Sequence, residues 1–581
     1  MCAKRGIRAP HAELIAHSPL ALYTPRGIVT IMKTVIVGGV AGGMSAATRL
    51  RRVDESAEIV VFERGPYVSY ANCGLPYFVG GVIPSRDDLL LHTPQSLAAR
   101  FRLDVRTGHR VESIDPAGKT VTVTDLTSGD RFAEPYDHLV LAVGASAAKV
   151  DVGTSPPIHT LRTVDDVDSI SEIFASRESG MSAVVIGGGF IGMEAVDNLI
   201  RRGTHVTLVQ RGGQLMSPLD EEMAAPLLGM LRAHGIDVRL NTTVTKVADG
   251  YVHLSDGAAI AADLVVEASG VTPDTSLALD AGLVLGESGG IRVDRFNRTS
   301  DKSIYAVGDG VEKPDAINGG DILVTMAGLA NRHGRSVADA IGGEPGDAAV
   351  GALGTGIVKI FDTVVAMVGW NEKRLVHAGR PHRIVHSHPT SHATYFPGAE
   401  PMSMKLLIDA DTDVILGAQI VGGDGVDKRI DVISVAMAAG ITASRLSRLE
   451  LAYAPQFGSA KDPINQLGYI ASNLAEGTER TIQWHELDDA LASGEQLIDV
   501  RNPQEFSSGH IPGAVNIPLD QIRDRLDEFS DGPVVVHCQV GQRGHTASRI
   551  LAQHGKDVRN LDGGYRTWQA GQATERKKEK A

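Results

Sequence analysis

The chain has 581 residues, of which 43% are hydrophobic and 22% charged, and its net charge is −14. This length predicts three or four globular domains, and the acidic balance argues against nucleic acid as the main partner. No apolar run has the length of a membrane-spanning helix, and three cysteines are too few for a disulfide scaffold, so we expect a cytoplasmic protein with no membrane contact.

Residues 1–31 lack the apolar core and cleavage site of a signal peptide. Met32 directly precedes a run of β-branched residues that predicts the first strand. We therefore expect residues 1–31 to be a disordered extension or an artefact of start-site choice.

The first strand, at 34–37, enters a glycine-rich turn that is followed by a helical pattern. Such a turn lets the backbone approach a pyrophosphate at a helix N-terminus. The next strand ends at Glu63, about twenty residues later, where an acid can accept hydrogen bonds from ribose hydroxyls. Although Val40 replaces the middle glycine, the pattern predicts a dinucleotide site with these cofactor-binding residues: Gly38, Gly39, Gly42, Gly43, Glu63 and Arg64.

A lone cysteine follows this site, in the stretch Ser69-Tyr70-Ala71-Asn72-Cys73-Gly74-Leu75-Pro76-Tyr77. The other cysteine in a glycine-flanked loop is Cys538, whereas Cys2 lies in the N-terminal extension. A long chain that keeps its cysteines in such loops is predicted to use them for sulfur chemistry.

A second glycine fingerprint, formed by Gly187, Gly189 and Gly192, lies between a strand and a helical run. The following strand ends in Gln210-Arg211. An acid at Gln210 would favour NADH, and an arginine cluster would favour NADPH. The chain has neither, so the cofactor preference stays open, with NADH slightly favoured.

A third motif, Gly308-Asp309, ends the strand-like run at 303–307. Two further strand-like runs that end in glycine, at 136–144 and 262–270, are predicted to be the crossings between two dinucleotide-binding domains.

In this order the motifs resemble the pyridine nucleotide–disulfide oxidoreductase family over residues 32–470. The resemblance implies FAD in the first site, NADH or NADPH in the second, and an Asp309 that bonds the ribityl chain of the flavin. Most dithiol members carry a second cysteine at the position of Phe78, so the resemblance points to the single-cysteine branch. The loop around Cys73 is similar to that of coenzyme A-disulfide reductases and related persulfide reductases.

The resemblance also implies a coenzyme A site. Arg49 and Arg52 follow the first glycine loop, share a helix face and are suited to gripping phosphates. A solvated basic face is the alternative. The implied substrate-binding residues are Ser45, Arg49, Arg52, Ser69, Asn72, Asn331 and Lys461.

Two tyrosines of the family reach the active cysteine from the partner subunit, and they match Tyr395 and Tyr453. The resemblance therefore implies a homodimer with shared active sites, in which Cys73 and both tyrosines are catalytic. Four nearby histidines, at 382, 386, 388 and 392, lack interleaved carboxylates or cysteines, so no metal site is predicted.

The pattern restarts after Gly477. A strand at 497–501 and the motif at 509–514 precede a strand at 534–537, which enters the loop of Cys538. Backbone N–H groups and the dipole of a following helix would lower the pKa of a thiol and favour a sulfur-carrying thiolate. The stretch resembles a rhodanese domain, which implies a catalytic Cys538 with Arg543 at the substrate; a phosphatase-like loop and an inactive docking domain are the alternatives.

The predicted fold is α/β, with two Rossmann-like dinucleotide-binding domains, an α+β dimerisation domain and a C-terminal α/β rhodanese domain. The expected boundaries are 32–150 plus 271–345 for FAD, 151–270 for NAD(P), 350–470 for the dimerisation domain and 480–575 for the rhodanese domain. The expected activity is reduction of coenzyme A disulfide, coenzyme A persulfide or polysulfide by NAD(P)H through Cys73, with sulfane-sulfur transfer through Cys538. An NADH oxidase or peroxidase is an alternative that the absence of a histidine in the first glycine loop weakens. A redox-sensing or docking protein is the second alternative.

Overall fold

The computed structural model describes residues 32–148, 152–153, 155–176, 180–343 and 351–578. The predicted extension at residues 1–31 lies outside the described residues. Within these ranges no helix is both long enough and apolar enough to cross a bilayer.

The first domain is built on a parallel sheet whose central strands are mostly apolar and buried, as in a sheet that is covered on both faces. Its central strand, Lys33–Val37, leads into the helix Ala41–Val53, which packs against the helix Ala327–Ile341. In sheet order the strands are Ile304–Ala306, His138–Leu141, Lys33–Val37, Glu58–Glu63 and Asp104–Thr107. The smaller elements are an antiparallel sheet of His109–Asp115, Thr120–Asp125 and Arg131–Pro135, a hairpin of Glu312–Pro314 and Asp321–Leu323, and the helices Leu75–Val79, Pro94–Phe101 and Ser276–Asp280.

The second domain repeats this plan. Its parallel sheet has the order Asp237–Arg239, His205–Val209, Ser182–Ile186, Leu264–Glu267 and Ile158–His159. Its helices are Val164–Ala175, Phe190–Arg201 and Glu221–Ala233, and its antiparallel sheet consists of Val244–Ala248, Tyr251–Leu254 and Ala259–Ala261. The chain passes between the two domains at the antiparallel pair Ala145–Ala147 and Val271–Pro273, directly after the predicted crossing strands.

The third domain is an antiparallel sheet covered by helices. The sheet order is Gly356–Ile360, Thr363–Gly369, Ile415–Gly422, Met402–Asp409 and His382–Ser387. The α-helices are Glu372–His377, Val426–Ala438 and Pro463–Ala475, and Ser444–Arg448 forms a 3-10 helix.

The C-terminal domain returns to a parallel sheet, in the order Thr481–Ile482, Val558–Leu561, Val534–His537, Gln496–Asp499 and Val515–Asn516. Its α-helices are Leu487–Ala492, Pro503–Ser507, Gln542–Gln553 and Gly564–Lys578. The last helix packs on Glu221–Ala233 of the second domain, so the C-terminal domain is docked onto the body of the protein.

Buried ion pairs hold this docked position. His386, on an edge strand of the third domain, has its Nδ1 2.7 Å from Asp562 of the C-terminal domain and its Nε2 3.0 Å from Glu222 of the second domain. Lys405 Nζ lies 2.6 Å from Glu222 and 2.5 Å from Glu372. His386, Asp562 and Glu222 have side chains at most 4% exposed, and a buried charge is costly unless it is paired. Docking of the C-terminal domain therefore pairs buried charged side chains from three domains.

Candidate active sites

The first glycine loop is built for close backbone approach. Gly38 has a φ of +104°, and a Cβ at Gly43 would overlap the Gly38 carbonyl oxygen. The Gly39 N–H donates to Glu63 Oε2 at 2.8 Å. The loop leads into the N-terminus of a 13-residue helix, so its backbone could accept a pyrophosphate, and Glu63 beside it could accept hydrogen bonds from a ribose. The predicted FAD-binding residues fit this cofactor.

The second glycine loop has the same construction. Gly187 has a φ of +105°, and a Cβ at Gly192 would overlap the Gly187 carbonyl oxygen. The Gly188 N–H donates to Gln210 Oε1 at 2.9 Å. Gln210 therefore takes the structural place that Glu63 has in the first domain, without its charge. This loop fits a second dinucleotide.

A continuous cleft of about 2480 Å³ joins the two glycine loops. Its walls include most of the residues that the sequence predicted around Cys73. Those that line the cleft are Ser45, Arg52, Glu63, Arg64, Ser69, Asn72, Cys73, Gly308, Asp309 and Asn331. Cys73 thus lies in the same space as both dinucleotide loops.

Cys73 lies in the 3-10 turn Asn72–Gly74, directly before the helix Leu75–Val79, and two carboxylates are nearby. The thiol residue is exposed, yet the surrounding protein desolvates it and raises its pKa, with a further contribution from the carboxylates of Glu194 and Asp309. Glu194 also accepts a 3.1 Å hydrogen bond from the Tyr77 hydroxyl. A thiolate at Cys73 therefore has to be stabilised by groups that bind in the cleft. The sequence reasoning missed Glu194, whose only signal is its place in the helix after the second fingerprint.

Ser69 links the cysteine loop to the first glycine loop. Its φ of 49° lies in the left-handed region, which non-glycine residues seldom adopt. The Ser69 N–H donates to the Gly39 carbonyl at 2.8 Å. This bond holds the loop of Cys73 against the pyrophosphate cradle.

The predicted coenzyme A contacts divide into two groups. Ser45 Oγ donates to Asn331 Oδ1 at 2.7 Å, and Arg52 lies with them on the cleft wall. Arg49 instead pairs with Asp339 at 2.5 Å and is outside the cleft lining. The sequence predicts that Arg49 and Arg52 act together on one helix face. In the structure Arg52 lines the cleft, whereas Arg49 is held in an ion pair.

Tyr395 and Tyr453 lie together on the third domain. Their hydroxyl oxygens are 2.7 Å apart, and the residues are 74% and 48% exposed. Phe396, directly after Tyr395, and Phe457, four residues after Tyr453, are also exposed, at 39% and 67%. Neither tyrosine lines the cleft of its own chain, and the same holds for the exposed Lys461.

Cys538 follows the strand Val534–His537 and is fully buried. Its carbonyl oxygen accepts a hydrogen bond from the Tyr565 N–H at 2.8 Å. Gly564, with a φ of +63°, packs so closely that a Cβ there would crowd the Cys538 carbonyl and the backbone N–H groups of the loop. Position 564, which packs against this loop, therefore has to be a glycine.

The side chains of Arg501 and Arg543 lie at this loop, and both are paired with carboxylates. Arg501 binds Asp499 and donates to Gln539 Oε1 at 2.9 Å. Arg543 binds Glu505 through two hydrogen bonds of 2.8 and 2.6 Å. Sequence reasoning did not find Glu505, because its partner is 38 positions away.

The four histidines have separate partners. His382 contacts the Arg380 carbonyl, His386 binds Asp562 and Glu222, His388 contacts Ser403 and Thr567, and His392 contacts Ser391 and Pro397. Among the described residues, the carboxylates of Asp220, Glu222 and Glu372 come close enough together for a metal ion, and the ammonium group of Lys405 lies within 3.0 Å of all three.

Comparisons with known proteins agree with this architecture. The family model of the pyridine nucleotide-disulphide oxidoreductases matches residues 32–321, its dimerisation domain matches 355–462, and a rhodanese-like domain matches 483–571. These matches confirm the fold class predicted from the sequence.

Individual relatives cover most of the chain. The coenzyme A disulfide reductase of Staphylococcus haemolyticus is 34% identical over 76% of this chain and 100% of its own length. The crystal structure of reduced Bacillus anthracis CoADR-RHD is 43% identical, with a TM-score of 0.91 over 93% of this chain and 98% of its own. A NAD-dependent persulfide reductase from A. fulgidus is 35% identical, with a TM-score of 0.85 over 92% of this chain and 100% of its own.

A water-forming NADH oxidase from Lactobacillus brevis has a TM-score of 0.73 over 77% of this chain and 99% of its own. At 24% identity this likeness shows the fold alone. The glycine loops, the single cysteine beside them, the family matches and the relatives lead to one conclusion. The chain belongs to the pyridine nucleotide–disulfide oxidoreductase family, among the homologues of coenzyme A disulfide reductase, and carries a C-terminal rhodanese domain.

Proposed function

We propose that the protein is a cytoplasmic flavoprotein that uses NADH or NADPH to reduce coenzyme A disulfide, coenzyme A persulfide or polysulfide at Cys73. The observation that carries the proposal is the single cleft, which contains both dinucleotide loops, Cys73 and the Ser45–Asn331 pair. The homologous reductases act on coenzyme A disulfide and on persulfides, by their names.

The residues of the cleft fit FAD and a nicotinamide dinucleotide. Gly38, Gly39 and Gly42 line the cleft where the pyrophosphate would lie, Glu63 would accept from the ribose, and Asp309 is on the cleft wall for the ribityl chain. When bound, FAD supplies a two-electron relay between the nicotinamide and a sulfur atom. The protein orients the cofactor and keeps Cys73 beside it.

Cys73 performs the sulfur chemistry. With coenzyme A disulfide, its thiolate attacks one sulfur, the S–S bond breaks, and one coenzyme A thiolate leaves as Cys73 forms a mixed disulfide. Two electrons then return Cys73 to the thiolate and release the second coenzyme A. With a persulfide, Cys73 takes the terminal sulfur, the thiol leaves, and the same two electrons with two protons release hydrogen sulfide.

We further propose that coenzyme A lies along the wall formed by Ser45, Arg52 and Asn331, with Ser69 and Asn72 near the sulfur. Arg52 offers a guanidinium for a phosphate. Arg49, bound to Asp339, would have to leave that ion pair to reach a ligand. Lys461, Tyr395 and Tyr453 would serve the active site of the partner subunit of a homodimer, since they lie outside the cleft of their own chain.

For the rhodanese domain we propose that Cys538 accepts sulfane sulfur and holds it as a persulfide. Cys538 follows a buried strand in a loop backed by Gly564, and the backbone N–H groups of that loop would stabilise the extra charge on the sulfur. Fusion to the reductase raises the effective concentration of this sulfur near Cys73.

The test uses two single variants of the full-length holoenzyme. Cys73→Ser should abolish NAD(P)H-dependent reduction of coenzyme A disulfide and persulfide while FAD stays bound, because it removes only the attacking sulfur. Cys538→Ser should leave disulfide reduction unchanged and abolish sulfur transfer. Activity is followed by NAD(P)H absorbance and FAD by its visible spectrum. Equal loss of both activities in both variants would contradict this division of roles, and rapid oxygen consumption without response to sulfur substrates would favour an oxidase.

A further inference from the structure

The rhodanese site contains a fixed negative charge beside its substrate-binding arginine. Glu505 holds both terminal nitrogens of Arg543, at 2.8 and 2.6 Å. The Asn502 N–H also donates to Glu505 Oε2 at 3.0 Å, as part of a capping box at the start of the helix Pro503–Ser507. The Arg543 guanidinium lowers the pKa of Glu505 to about 2, so the carboxylate is charged at any physiological pH.

Arg543 faces the reactive sulfur while it is held by this carboxylate. Its pKa is raised first by the hydrogen bonds to Glu505 and further by the neighbouring Cys538. The other arginine of the loop, Arg501, is 3% exposed in its side chain and bound to Asp499. The guanidinium groups of Arg501 and Arg543 therefore each have their charge balanced by a carboxylate before any substrate arrives.

We propose that Glu505 is a specificity-determining residue that makes Cys538 select alkyl persulfides over the dianion thiosulfate. The inference rests on the proposed sulfur transfer at Cys538. An anionic donor has to compete with Glu505 for Arg543 and bring two negative charges close to a third. A thiolate attacks an alkyl persulfide in its protonated form, whose terminal sulfur carries no negative charge, so this repulsion is absent from the attack.

The two reactions differ in the charge that has to enter the site. With an alkyl persulfide, the Cys538 thiolate attacks the terminal sulfur, the S–S bond breaks, and the alkyl thiolate leaves with the electron pair. With thiosulfate, the thiolate attacks the sulfane sulfur, and sulfite leaves with the electron pair. Both leave sulfane sulfur on Cys538, but only the second brings a dianion to Glu505.

The test compares Glu505→Gln with Glu528→Gln in the full-length holoenzyme. Glutamine can keep the capping box, so the helix should survive the change. Glu528 pairs with Arg525 on the surface of the same domain and is the matched control for loss of one carboxylate. For each protein, kcat/KM is measured with thiosulfate and with glutathione persulfide, using cyanide as acceptor, at low and high salt.

We expect Glu505→Gln to raise the thiosulfate-to-persulfide ratio of kcat/KM by at least about fivefold, a gain that shrinks with salt, because one repelling charge near the dianion is removed. Glu528→Gln should leave the ratio unchanged, and adding Arg543→Gln to Glu505→Gln should remove the gain. A ratio within twofold of wild type in Glu505→Gln, or an equal rise in Glu528→Gln, would overturn the proposal.

The variant Cys538→Ser separates two negative results: that Glu505 does not set the specificity, and that sulfur transfer does not use Cys538. If sulfur transfer persists in Cys538→Ser, the transfer does not use Cys538, and both proposals fall. If it is lost there while Glu505→Gln leaves the ratio unchanged, only the role of Glu505 falls.

Discussion

At the scale of single residues, Gln210 and Arg211 bear on which nicotinamide the second site accepts. Gln210 makes the loop contact that Glu63 makes in the first domain, but it brings no negative charge to the ribose. Its other amide end donates to the Gln214 carbonyl at 3.2 Å. Arg211 is exposed and lines the cleft beside it. Without an acid to repel it, a ribose phosphate can meet the guanidinium of Arg211.

We therefore predict that the enzyme accepts NADPH as well as NADH, and that Arg211→Gln lowers kcat/KM for NADPH about tenfold, the value of one charge-assisted hydrogen bond. The kcat/KM for NADH should change less than about threefold, because NADH lacks the ribose phosphate. The control is Arg232→Gln, which removes an exposed arginine from a helix of the same domain. Steady-state kinetics with both cofactors measure the ratio, and an equal effect on both would show that Arg211 does not contact the phosphate.

At the scale of secondary structure, the edge strand His382–Ser387 acts as the dock for the rhodanese domain. It presents His386 to Asp562 and to Glu222, while the following His388 contacts Thr567 of the last helix. The two histidines differ in charge. Asp562 and Glu222 outweigh the cost of burial and raise the pKa of His386 to about 9, whereas burial lowers that of His388 to about 3.

This difference predicts how docking depends on pH. The pKa of His386 is higher in the folded protein than its unfolded value near 6.5, so its stabilisation is complete below about pH 6.5 and is lost as the pH rises through about 9. Protonated His386 therefore adds on the order of 3 kcal/mol to the free energy of unfolding. Thermal unfolding and proteolysis of residues 476–480, which connect the two domains, should both show weaker docking at pH 9 than at pH 6.5.

His386→Gln should remove this pH dependence, because glutamine can keep a hydrogen bond but does not titrate. His388→Gln is the control and should retain it, since His388 is neutral throughout this range. If both variants kept the dependence of the wild type, another group would be responsible for it.

At the scale of the whole molecule, the two exposed tyrosines require an explanation that one chain does not supply. Tyr395 and Tyr453 share a hydrogen bond on the surface of the domain that matches the family's dimerisation model. Large exposed aromatic side chains that lie together are typical of an interface. A homodimer would cover them and bring their hydroxyls to the partner's cleft.

Mixed dimers test this arrangement. A Cys73→Ser chain paired with a Tyr395→Phe, Tyr453→Phe chain should regain about half of the wild-type activity per dimer, because one of its two sites then combines an intact cysteine with intact tyrosines. Each variant alone should be at least about tenfold less active, because one lacks the attacking sulfur and the other lacks the tyrosine hydroxyls that would stabilise it. Purified heterodimers carrying two different affinity tags provide the measurement. Absence of recovery would mean that cysteine and tyrosines act within one chain.

Features that have a local cause can be predicted from a few neighbouring amino acids. A glycine turn between strand and helix is required wherever a Cβ would overlap the adjacent backbone, as at Gly43 and Gly192, so the pattern is visible in a few consecutive residues. The same holds for the lone Cys73 and for the loop of Cys538. These motifs and their order predict the fold class and several of the residues that line the cleft around Cys73.

Which charged side chains pair with each other depends on the three-dimensional fold. Arg49 turns to Asp339, which is 290 positions away, and Glu505 takes Arg543. His386 joins three domains through carboxylates that are 164 and 176 positions from it. A charged side chain can satisfy its burial with any opposite charge that the fold brings near, so its partner is set by the packing of distant elements and not by the residues beside it in the chain.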